Sequence, residues 1–268
     1  MLKTRRLLLS LLVPSIIVIA ACNPQAEPTL AVATTTEEMM DEEAMEDEMM
    51  DEEAMEDEMM DDEMMDEVTT FVVRIENTAD EGGLTILAPG AYELNDHPIS
   101  FFTAGEADRG QGLEALAEDG DPSALVGTIG EMMADDMMGF AVEAFNTPVG
   151  ADAPGPAGSG AAYEFTIEAH PGQYITFATM FVQSNDWFFS PAEDGIELFD
   201  SSGNPISGDI TNRIFLWDAG TEADQTPGEG ADQAPRQAGP NTGEDEGGVV
   251  SRVEGFEDFD ILVTITAP

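Results

Sequence analysis

The sequence predicts an all-β fold for residues 68–268: an antiparallel β-sandwich of about eight strands with a short helical insertion, preceded by a disordered acidic stalk. Three observations carry that expectation. From Val68 onward apolar residues recur at every second position, the period of a strand with one buried face. Turn-forming residues separate one apolar run from the next at short intervals, as in a sandwich. Before Val68 the chain is a block of Glu, Asp, Met and Ala with no periodic apolar face, so folded structure is expected to begin where that block ends.

In the first strand Phe71, Val73 and Ile75 alternate with Val72, Arg74 and Glu76. Further strand-like runs lie at 84–88, 98–103, 139–145, 161–169, 173–182, 195–200, 209–217 and 258–266. Gly82-Gly83, Pro89-Gly90, Pro154-Gly155-Pro156, Pro171-Gly172 and Ser202-Gly203-Asn204 read as the turns between them. The helical insertion follows the third run. Leu113, Leu116 and Ala117 have helix spacing, and Asp121-Pro122 reads as an N-cap with proline at the first helical position, leading into Leu125, Val126 and Ile129. Glu118, Asp119 and Asp121 read as a capped, solvated helix junction, with a second cation loop as the sharper alternative. The stretch 219–248 has no apolar side chain larger than alanine and carries Arg236, so it reads either as a recognition loop or as a mobile insertion.

The first 67 residues form two segments. Lys3, Arg5 and Arg6 precede an apolar run from Leu7 to Ile19, and the small residues Ala20-Ala21 lead to Cys22. That is the layout of a secretory signal, 1–21, too short to span a bilayer. Ile19-Ala20-Ala21-Cys22 resembles the bacterial lipobox, which implies acylation of Cys22, the only cysteine of the chain. Two or more acyl chains give stable anchorage where one does not. In the stalk 22–67, MMDEEAMEDE occurs at 39–48 and again at 49–58. Ten residues close on no helical period, and unopposed carboxylates repel, so an extended coil is expected, with a reach of roughly 35–40 Å. Metal capture by its thioethers and carboxylates is the alternative reading.

Formal charge is −48 and pI about 4.1, with no lysine after Lys3 and five scattered arginines beyond the signal segment. Phosphate backbones would be repelled, which excludes nucleic acid as a partner. Gly158-Ser159-Gly160 lacks the spacing of a nucleophile elbow, and no glycine-rich phosphate cradle follows a strand. His97 and His170 each precede a proline, and two histidines without cysteine make no typical zinc site.

The sharpest chemical signal lies in QSNDWFF, 183–189, and LWDAGTEAD, 216–224. Asp218 and Glu222 flank the small turn Ala219-Gly220-Thr221, and Asp186 could add a third carboxylate if the two segments meet. A hard cation such as calcium takes several oxygen ligands of this kind. Trp187 and Trp217 adjoin the acidic residues and read as core packing beneath the site.

SNDW followed downstream by WDAGTE resembles the spondin N-terminal domain of extracellular matrix and bacterial surface proteins. FVVRIEN at 71–77, GLEALAEDGDPSALVG at 112–127 and PGPAGSGAAYEFTI at 154–167 extend the resemblance over 68–268. It implies a C2-like sandwich, metal ligation by Asp186, Asp218 and Glu222, and a role in surface attachment. Glu222 stands where many animal members have Asp, and their disulfide cysteines are missing here. The expected function is therefore a lipid-anchored, non-enzymatic recognition or adhesion module on the outer face of the cell membrane, with calcium as cofactor and an extracellular protein or glycan as partner. The alternative is a polysaccharide hydrolase using the same carboxylates as acid and base.

Overall fold

A computed structural model describes residues 68–96, 101–133, 140–256 and 260–267. The signal segment, Cys22, the acidic stalk and His97 lie outside the described residues.

Alternating burial builds two antiparallel sheets. The first has the order β4 (Ala162–Ala169), β1 (Thr69–Asn77), β11 (Ile261–Thr266), β8 (Gly208–Asp209). The second runs β10 (Ser251–Arg252), β9 (Ile214–Asp218), β6 (Trp187–Pro191), β5 (Tyr174–Phe181), β2 (Leu87–Asn95), β3 (Ala141–Phe145), with β7 (Ile196–Glu197) also paired to β5. Phe71, Val73 and Ile75 of β1 meet Tyr92, Phe177, Phe189 and Leu216 of the second sheet in the inter-sheet core. The outward face of the first sheet keeps Arg74 with Glu76 and Glu164, at 3.1 and 3.5 Å, surface pairs of small energetic weight.

The second sheet is buried on both faces. Ala91, Ala178, Phe188 and Trp217 alternate with the inter-sheet residues and pack under helices α1 (Leu113–Asp119) and α2 (Ser123–Met132) through Leu113, Leu116, Leu125 and Ile129. This two-sided burial explains why β5 reads as one continuous apolar run. Each fully buried Leu, Ile or Phe contributes roughly 1.5–3 kcal/mol. Gly120, at φ 67°, ends α1 in the left-handed conformation that glycine adopts freely. Asp121 Oδ1 accepts hydrogen bonds from the Ser123 N–H (2.9 Å) and hydroxyl (2.6 Å), but the N-cap is Pro122 and the helix starts at Ser123, one residue later than expected.

Several expectations need correction. Pro89-Gly90 is no turn but lies inside β2, where the ladder to β5 shifts register between Leu87 and Gly90. Such an irregularity tolerates the missing proline N–H. Gly90 is required there, because a Cβ would stand 2.2 Å from the Ala178 carbonyl oxygen. Phe101 and Phe102 belong to the helix-covered core and to no strand. The run 209–217 is divided by a 3-10 turn at Thr211–Arg213, and strands β6 and β10 were not foreseen. Among the described residues, no helix is long and apolar enough to cross a membrane.

Candidate functional site

Asp186 occupies the turn between β5 and β6 and is wholly buried. Its Oδ2 accepts from the Thr221 N–H (2.8 Å), the Thr221 hydroxyl (3.1 Å) and the Glu222 N–H (3.1 Å). Its backbone oxygen accepts from the Ala219 N–H at 3.2 Å. One aspartate thus stitches the two acidic segments together. Its Oδ1 is buried with no hydrogen-bond partner.

Asp218 ends β9 and stands opposite Trp187 in the β6–β9 register. Its Oδ1 accepts from the Gly220 N–H at 2.7 Å. Gly220 has φ 68°, and a Cβ there would lie 2.6 Å from the Val249 backbone nitrogen, so a side chain is excluded. Glu222 is buried, with Oε1 accepting from the Asn185 amide at 3.1 Å and Oε2 left without a partner. Gly243 makes room for it, since a Cβ would fall 1.6 Å from Glu222 Oε1. These hydrogen bonds bring Asp186 to the turn that carries Asp218 and Glu222.

The long loop is ordered by its own hydrogen bonds. Glu222 bridges Asp245, the Ala223 N–H donates to Glu244 O (2.8 Å), and the Glu246 N–H donates to Thr221 O (3.0 Å). Between these arms the wholly buried Gln233 donates to Thr226 O (3.0 Å) and Asn185 Oδ1 (3.3 Å), and accepts from the Gly228 N–H (3.0 Å) and the Arg236 guanidinium. Arg236 also donates to Gly230 O (2.6 Å) and Gln183 Oε1 (3.1 Å). The cation expected to serve recognition is spent inside the loop. Gln237 and Asn241 then tie the loop to α1 through Asp119 and Glu114, each at 2.7 Å.

Burial dominates the electrostatics. It pushes Asp218 up to about 7, helped by the Asp186 charge and opposed by the Gly220 N–H. Asp224, at the solvent edge, rises to about 6 through partial burial and Asp186. Burial raises Asp186 against its hydrogen bonds from Glu222 and Thr221, and raises Glu222 against the Asn185 amide. Glu118, expected to be solvated, is buried and raised to about 7 by that burial, against a hydrogen bond with Thr221. Hydrogen bonding alone opposes these rises; no positive charge is among the leading causes.

Among the described residues, no three His, Cys, Asp or Glu side chains already converge in a metal-holding group. The donor set nevertheless suits a hard cation. It is all oxygen and all acidic, and it includes two buried carboxylate oxygens that nothing satisfies. Leaving such atoms unpaired costs about 1–3 kcal/mol each, more when charged. Sequence reasoning gave no role to Asn185, Asp224 or Glu246 and placed Glu118 at a solvated junction; Asn185 and Asp224 both lay within the two acidic motifs.

Trp187 and Trp217 are buried, in the inter-sheet core and the helix-covered core respectively. An open depression of about 410 Å³, lined in part by Asp108, Glu114, Thr221, Asn241 and Asp245, flanks the loop. Fold and site together define a two-sheet antiparallel β domain with a carboxylate-rich loop end. No protein-family model matches the chain, and no curated protein matches it significantly.

Proposed function

We propose that this is an exported, lipid-anchored surface protein whose folded domain is a spondin-like, non-enzymatic recognition or adhesion module. Asp186, Asp218 and Glu222 hold a divalent cation, calcium by preference, that fixes the acidic loop end. The observation that carries this reading is Asp186, buried, negatively surrounded, with one oxygen stitched to the 219–222 turn and the other unsatisfied. The resembling segments SNDW and WDAGTE are the two turns so joined, which supports the spondin-like assignment. The partner, an extracellular protein or glycan, would meet the loop end, and a glycan array or a pull-down with cell extract would identify it.

A cation that binds only the folded state stabilises it by about 2.7 kcal/mol at 100 times its dissociation constant. Chelator should lower the melting temperature of the full chain, and calcium should restore it better than magnesium, which dehydrates reluctantly. Asp218→Asn should remove most of that response. A metal-free protein whose melting temperature ignores added calcium would overturn the reading.

A polysaccharide hydrolase is the second reading, favoured by the near-neutral Asp218, the value a general acid needs. The two readings make opposite demands, since calcium needs that carboxylate ionised. Turnover of polysaccharides that persists or rises in chelator would decide for the hydrolase.

A further inference from the structure

The 219–248 loop delivers the chain into β10, which sets Arg252 opposite Trp217 in the ladder with β9. Paired residues share a face, and a long side chain also reaches its diagonal neighbour. The Arg252 guanidinium accordingly lies over the Phe215 ring, 3.4 Å from its centroid, and 5.2 Å from that of Trp217. Stacking uses the flat face of the guanidinium and leaves the N–H donors along its edge unspent. Among the described residues no carboxylate pairs with this exposed arginine, in a chain that has 56 acidic residues. Arg74, by contrast, holds Glu76 and Glu164, and Arg236 is consumed inside the loop.

Arg252 lines a depression of about 540 Å³ whose walls are tied to one another. The Gly105 N–H donates to Val250 O and the Val250 N–H to Glu106 O, both at 2.8 Å, which fastens the 104–106 strap to the start of β10. Glu193 Oε2 accepts from the Ala104 N–H at 2.8 Å, joining the strap to the turn after β6. The Trp217 indole N–H donates to Pro191 O at 3.2 Å and fixes the ring against the same turn. The lining so assembled combines one cation and the Ser251 residue of β10 with the carboxylates of Glu193 and Asp194.

We propose that this depression binds a saccharide through a single uronate residue, with Arg252 as the fork that takes its carboxylate. The edge of a guanidinium matches a carboxylate by two parallel N–H bonds. The hydroxyls of the same sugar donate to Glu193 and Asp194, whose charge would repel a second acid group. A net charge of −48 repels polyanions, which selects a glycan whose acidic residues are sparse. The inference deepens the recognition reading, on which it rests, and uses none of the carboxylates assigned to the cation.

Calorimetric titration of the full chain with aldotriouronic acid, a xylobiose carrying one glucuronate, tests this, with xylotriose as its neutral twin. Both titrations are run in chelator, so that a sugar carboxylate held by calcium gives no signal. The acid should bind saturably, and the neutral trisaccharide roughly tenfold more weakly or worse, because the charge-assisted bonds are missing. Arg252→Gln should bring the acid down to the level of the neutral sugar. Arg252→Lys keeps the charge but not the fork, and should recover little. Arg213→Gln, the same charge change at another exposed arginine, should bind as the wild type does. Equal losses in Arg213→Gln and Arg252→Gln would reduce the effect to net charge and overturn the inference. Wild-type binding in Arg252→Gln or in Arg252→Lys would overturn the fork. Acetyl-trialanine, whose one carboxylate belongs to a peptide, would overturn the saccharide class if it displaced the acid sugar with equal affinity. A wild type that binds no aldotriouronic acid would overturn the inference too, while the calcium response of the melting temperature judges the parent reading separately.

Discussion

At the scale of single residues, burial of like charges is the governing fact. Free Asp and Glu titrate near about 4, yet Asp218 and Glu118 are pushed up to about 7 and Asp224 to about 6. Between the unfolded and folded values the native state binds more protons than the unfolded chain. Stability therefore declines as pH rises through that window. The metal-free full chain should melt higher at about pH 5 than at about pH 8, with the fall steepest just below the value of Asp224 and persisting up to that of Asp218. Calcium should reverse the trend, because it binds the ionised carboxylates, so the increment it adds should grow with pH. Asp218→Asn should flatten the metal-free profile near neutrality. Identical slopes in Asp218→Asn and the wild type, followed by thermal melts across pH, would contradict this account.

At the scale of elements, what was legible depended on periodicity. Strands β1, β4 and β5 declare themselves because one or both faces are buried along several residues. Asp121 likewise signals the helix start by local chemistry. Pro89-Gly90 misled, because the same residues that make turns also serve a register shift where two backbones press together. Asp186 and Asp218 were readable as candidates because each adjoins an apolar run that places it at a strand end, and Glu222 because only the small turn 219–221 separates it from Asp218. The approach of Asp245 to Glu222 was not legible, since it depends on a ladder between arms whose sequence has no period. The loop is held instead by amides, and Gln233 is its hub. Gln233→Ala would remove its bonds to Thr226 O and Asn185 Oδ1 and release Arg236, while the Gly228 N–H keeps Gln183 O, at a cost of about 0.5–1.5 kcal/mol for each bond lost. Thermal melting should report that loss. Trypsin should cut after Arg236, whose guanidinium the wild type holds to Gly230 and Gln183, faster in the variant than in the wild type. Unchanged cleavage and melting would show that the loop stands without this network.

At the scale of the whole molecule, charge bears on the proposed membrane attachment. Beyond the signal segment five arginines face 56 acidic residues. Bilayer surfaces carrying anionic lipid repel such a chain, and attraction of that kind requires clustered Lys and Arg, which are absent from the sequence after Arg6. Attachment by surface electrostatics is disfavoured by this composition. The anchor proposed above is instead a covalent lipid on Cys22, the chain's only thiol, which lies outside the described residues. Cys22→Ser should therefore abolish fatty-acid labelling and move the protein from the membrane fraction to the soluble one. High salt should not release the wild type, because no ion pairing with lipid holds it. Labelling that survives the substitution, or release of the wild type by salt alone, would mean that another part of the chain makes the contact.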